Sequence, residues 1–148
     1  MTEVQTCALP ILVALPPDRV PVTATETRYA AAVVAFERSG QLQIARTAYD
    51  ALLKRWPDSL SGHMGRGNVA YALRDLATAE SAFRAAASVH PEAVAAHNNL
   101  ANVLAKRGNF AAALAAAEKA VSLGGPLAAT AQETLDEIRA KAQAAGAR

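Results

Sequence analysis

Apolar positions along this chain return with a long period superimposed on a helical one. Ala45, Ala79 and Ala113 are 34 residues apart, and Tyr49, Phe83 and Ala117 keep the same step. So do Leu42, Leu76 and Phe110, while Gly40 and Gly108 lie two periods apart and Pro57 and Pro91 close two of the units. A fixed period in this range predicts stacked helical hairpins, an all-α solenoid in place of one globular core. Such units build a surface for recognition more readily than a catalytic centre.

Within each unit the breakers divide the chain into seven helices. The first starts near Glu26, with Thr25 as N-cap, and stops at Ser39-Gly40, where glycine suits a left-handed C-cap. The others are predicted over residues 42–55, 61–74, 77–89, 92–107, 110–123 and 127–144. Asp58 and Ser59 can cap the third, and Pro126 suits the first turn of the seventh. Connections of two to four residues make successive helices antiparallel neighbours. That gives three hairpins and a last helix whose Glu133, Asp136, Glu137, Arg139 and Lys141 supply the wet side a capping helix needs. Before them, Pro16, Pro17 and Pro21 predict an extended linker over residues 12–25, with Leu12 to Leu15 as a short strand. The tail, 145–148, should fray.

Composition narrows the classes. Apolar residues are 52% of the 148 but aromatics only 5%, so the core is mostly Ala, Leu and Val. A net charge of +2 gives no reason to expect nucleic acid or an anionic membrane as partner. No stretch is long and apolar enough to span a bilayer, so no membrane contact is expected of this segment. The single cysteine, Cys7, forbids an internal disulfide. It lies in Gln5 to Ile11, a string that a widely used sequencing adaptor encodes, so residues 1–11 are expected to be non-native and the natural protein to extend upstream. A short genuine N-terminus, or a lipidated or nucleophilic Cys7, are the other readings.

The period and its residues resemble the tetratricopeptide repeat. Its aromatic, small, bulky, glycine, alanine, aromatic, alanine and proline slots fall on Tyr29, Val33, Phe36, Gly40, Ala45, Tyr49, Leu52 and Pro57. In the second unit they fall on His63, Gly67, Ala70, Arg74, Ala79, Phe83, Ala86 and Pro91. The third gives His97, Ala101, Leu104, Gly108, Ala113, Ala117 and Ala120, with Pro126 one residue late. Departures are Val33 for a small residue, Arg74 for glycine and Ala117 for an aromatic. The resemblance implies a right-handed superhelix of three repeats, about 26–59, 60–93 and 94–127, and a capping helix over 127–144.

It also implies a concave groove lined by the first helix of each hairpin. There the exposed slots are Ala30, Val34 and Glu37, then Met64, Asn68 and Tyr71, then Asn98, Asn99, Asn102 and Lys106. Asparagine amides both donate and accept, so they can grip the backbone of an extended peptide whatever its sequence. Asn68 and Asn99 match two asparagines of the clamp that some relatives close on a C-terminal carboxylate. Met64 stands where that clamp needs a lysine, which puts carboxylate recognition in doubt. The implied function is protein or peptide binding, with no cofactor and no catalysis by this chain.

A fainter resemblance concerns the junction from Leu15 to Tyr29, together with Arg55 to Leu60 and Ser122 to Leu127. It is similar to a bacterial family in which a papain-like cysteine peptidase domain, of the bacteriocin-leader-processing type, precedes such repeats. It implies an upstream catalytic domain and the cell envelope or periplasm; without it the compartment would be the cytoplasm. The histidines invite a metal reading, since His63 and His97 share a slot. No carboxylate completes a ligand set, so each is expected to fill the aromatic slot of its hairpin, with His90 exposed.

Overall fold

A computed structural model describes residues 17–146. The expected strand at Leu12 to Leu15, the readings of Cys7 and residues 1–11, and the last two residues lie outside them. Among the described residues there are seven α-helices: α1 (Glu26–Arg38), α2 (Leu42–Arg55), α3 (Leu60–Ala72), α4 (Leu76–Val89), α5 (Val94–Lys106), α6 (Phe110–Leu123) and α7 (Ala128–Gly146).

Local chemistry sets most of their ends. Thr25 Oγ1 accepts from Arg28 N–H at 3.4 Å, and Ser59 Oγ accepts from Gly62 N–H at 3.0 Å. Asp75 and Asn109 do the same for α4 and α6. α5 starts at Val94, later than predicted, because Ala93 N–H bonds to the His90 carbonyl and holds 90–93 in a turn. α7 starts at Ala128, since Gly124 and Gly125 both take positive φ and a 3₁₀ turn over Gly125–Leu127 comes first. It continues through Ala145 to Gly146, past the predicted end.

Residues 17–25 are not simply extended. Ala24 N–H closes a turn on the Pro21 carbonyl, and Arg55 donates to the Pro21 and Val22 carbonyls at 3.0 and 2.8 Å. Val20 and Ala24 pack on the first hairpin, so the segment is fastened at both ends of the turn.

The first helices of units one and three end on Gly40 (φ +75) and Gly108 (φ +79); the second ends on Arg74, at φ 65. A side chain in this left-handed region costs about 1–2 kcal/mol, partly offset by the extra freedom glycine has when unfolded. Arg74→Gly is therefore expected to stabilise the chain by about 0.5–1 kcal/mol, read as a higher urea midpoint. A lower midpoint would show that the arginine side chain contributes more than its backbone loses.

α1 to α3 share one core and α3 to α7 another, and the two meet at α3. Val69 belongs to the first, with Tyr29, Val33, Tyr49 and Leu52; Ala70 belongs to the second, with Phe83, Leu100, Leu104, Leu135 and Ile138. α3 carries Gly62, Gly65 and Gly67, three residues that together cost it about 3 kcal/mol of helix propensity. They are kept for contact. A Cβ on Gly67 would lie 2.5 Å from Phe83 Cε1, one on Gly62 2.7 Å from Leu52 Cδ2, and one on Gly65 would overlap the Tyr49 ring.

Tyr49 is also held by a hydrogen bond: its hydroxyl, at the end of the ring that Gly65 faces, donates to the Glu37 carboxylate of α1. Burial first, and then that bond, push its phenol above the usual range.

Glu80 of α4 ties the second hairpin to the third, accepting from Arg84 at 2.5 Å and from Arg107. The Arg84 bond, with Arg107 beside it, holds the Glu80 carboxyl below the ordinary carboxylate range. A depressed folded value means stabilisation that is complete above the unfolded value, about pH 4.3, and lost as pH falls through the folded one. Glu80→Gln should lower the urea midpoint at pH 7 and flatten its decline between about pH 5 and pH 3. An unchanged acid limb would show that this carboxylate does not drive the linkage.

Candidate functional site

α1 packs directly on α3, and α5 on α7, but the backbones of α3 and α5 hardly approach one another. Their facing sides meet through side chains and leave a cleft. Along α3, Met64, Asn68 and Tyr71 follow at the spacing of one helix face; Asn99, Asn102 and Lys106 do the same along α5. Seven residues of helix separate Met64 from Tyr71, about 10 Å.

The two rows touch at two points. Asn99 Nδ2 donates to Asn68 Oδ1 at 3.4 Å, and Lys106 Nζ lies 4.6 Å from the centre of the Tyr71 ring. The amide bond is long and at the surface. Among the described residues no other hydrogen bond reaches either side chain, so Asn68 keeps its donors and Asn99 its acceptor for a ligand. Asn102 is half-buried in the same row. Asn98 sits deeper: its Oδ1 is buried with no hydrogen-bond partner among the described residues.

A cavity lies at each end of the cleft. One, of about 310 Å³, is walled by Leu60 and Met64 of α3, Ala93 to Ala96 and, from the next unit, Pro126 and Leu127. It is almost wholly apolar, and Leu127 is an exposed large hydrophobic residue at its edge. The other, of about 300 Å³, is formed by Tyr71, Ala72, Arg74, Leu76 and Lys106. Sequence reasoning named Met64, Tyr71 and Lys106 but missed the rest. Arg74 carried a signal, since it breaks the glycine pattern; Pro126 and Leu127 carried none, because their place depends on the delayed start of α7.

The histidines fasten the turns. His63 Nε2 donates to the Pro57 carbonyl at 2.7 Å and His97 Nε2 to Pro91 at 2.9 Å, so neither fills its slot merely as a ring. His90, expected to be exposed, is half-buried: Nε2 bonds to the Asp58 carbonyl at 2.8 Å and Nδ1 lies 3.5 Å from Glu92. Among the described residues no group of three or more His, Cys, Asp or Glu could hold a metal ion, and no helix is long and apolar enough to cross a membrane.

A family model of the tetratricopeptide repeat matches residues 29–88 and again 66–131. No curated protein sequence matches the chain. Among solved structures, the type III secretion chaperone SycD of Yersinia enterocolitica, in complex with a peptide of the translocator YopD, aligns with a TM-score of 0.72 at 17% identity. That alignment covers 82% of this chain and 98% of that one. The TPR2B domain of yeast Sti1, in a complex with pHsp70, gives 0.73 at 17% identity over 78% of this chain and 97% of that one. A Thermobaculum terrenum O-GlcNAc transferase mutant gives 0.66 at 21% identity, over 79% of this chain and 23% of the larger one. At these identities the likeness establishes the fold, an α-solenoid of helical hairpins. The fainter resemblance to a peptidase-linked family gains no support from these matches.

Proposed function

The chain belongs to the tetratricopeptide repeat family, and on that footing we propose that it binds an extended segment of another protein in the cleft between α3 and α5. The observation that carries this reading is the Asn68–Asn99 pair. Its long bond spans two hairpins and still presents an amide donor beside an amide acceptor. A peptide backbone offers the complementary pair at every residue, and it needs both satisfied when it leaves water. Asn102 extends the amide row, and the orphaned Asn98 oxygen would gain from any N–H brought near it. The apolar cavity at Met64 and the mixed polar and apolar one at Tyr71 and Lys106 are about 10 Å apart along α3, a distance that three extended residues span. Two of the similar folds are described as complexes with a peptide or with pHsp70, which fits such a role.

The test is the double variant Asn68→Ala with Asn99→Ala. Its probe is a dodecapeptide selected on the full chain from a random display library. Affinity should fall about tenfold or more, since amides that bond a ligand backbone are lost. The urea midpoint should hardly move, because Asn68 is exposed and the bond between the two is long. Unchanged affinity would remove these residues from the binding surface, and an equal loss of stability would make them structural.

A further inference from the structure

We infer that the cavity formed by Tyr71, Ala72, Arg74, Leu76 and Lys106 receives an acidic side chain of the bound peptide. This rests on the peptide-binding reading of the cleft and adds the chemistry of one partner residue. Two cations face this cavity, Arg74 from the turn between α3 and α4 and Lys106 from the last turn of α5. Among the described residues neither Arg74 nor Lys106 is ion-paired. The nearby carboxylates are engaged elsewhere. Asp75 accepts from Thr78 N–H at the start of α4, and Glu80 is held by Arg84 and Arg107. Lys106 is kept over the Tyr71 ring at 4.6 Å, so its ammonium stays at the mouth of the cavity.

Arg74 occupies a backbone position, at φ 65, that the matching residues Gly40 and Gly108 fill without strain. A guanidinium there brings planar, paired donors suited to a carboxylate. Ala72 and Leu76 give the cavity an apolar wall. A group that fits brings methylene carbon with its charge, as the side chains of glutamate and aspartate do.

The experiment selects random dodecapeptides, displayed without a free C-terminus, on the wild-type chain, on Arg74→Glu with Lys106→Glu, and on Arg74→Gly. Wild type should enrich Asp or Glu at one fixed position. The charge-reversed pair should enrich Lys or Arg there, and Arg74→Gly should weaken the acidic preference while keeping the fold. Replacing the acid of a selected peptide by its amide should cost about tenfold in Kd. If peptides are enriched with no acidic preference, or with the same preference in all three proteins, this inference fails while the cleft reading stands. If wild type enriches no peptide at all, both fail. Should the charge-reversed pair not fold, Arg74→Gly decides.

Discussion

Phe83→Ala is expected to cost about 4 kcal/mol, lowering the melting temperature by roughly 15 °C. Phe83 is 2% exposed and its ring packs against α3 at Gly67. Truncating a buried aromatic removes its transfer energy and leaves a cavity, and the cost depends on how far the walls can close. Here one wall is a glycine, with no side chain to move into the space. The ring also joins the core that α3 to α7 share, so its loss is felt in both later hairpins. A change of less than about 1 kcal/mol in calorimetry or urea unfolding would mean that the α3–α4 seam is not packed around this ring.

Gly65→Ala should destabilise by about 2–3 kcal/mol, although alanine is the better helix former by about 1 kcal/mol. Propensity and packing point in opposite directions at this residue, and packing wins because the new methyl would overlap the Tyr49 ring. That ring has nowhere to go. It is 1% exposed, and the hydroxyl end that the methyl would strike is held by Glu37. Tyr49→Leu in the Gly65→Ala background should return part of the loss, a coupling that a double-mutant cycle reads directly. Gly146→Ala, where a methyl meets nothing within 4 Å, should stay within about 0.5 kcal/mol of wild type. A neutral or stabilising Gly65→Ala would mean that α2 and α3 lie further apart than described.

The 34-residue period made the hairpins legible, because each unit must bury the same slots against its neighbours. Helix ends set by local chemistry were legible too: Thr25 and Ser59 cap through their own hydroxyls, and Gly40 and Gly108 take the left-handed turn. Features made by contact between units were not. Gly67 falls in a recognised small slot, whereas Gly65 is small because of a ring from the preceding hairpin. The histidines share a slot with aromatics, and only the folded turns show that their nitrogens serve the proline carbonyls. For the cleft, the resemblance to the repeat told which residues line the concave face. The pairing of Asn68 with Asn99 and of Tyr71 with Lys106 depends on how far apart α3 and α5 stand, which no residue spacing encodes. Arg74 was visible only as a missing glycine; its place in a cavity came from the fold.

The most direct test is backbone amide chemical-shift mapping of the full chain titrated with a dodecapeptide selected from a random library. Shifts confined to α3 and α5, strongest around Asn68, Tyr71, Asn99, Asn102 and Lys106, are expected. Shifts gathered instead on the outer helices α2, α4 and α6, with the α3–α5 cleft silent at saturation, would contradict peptide binding there.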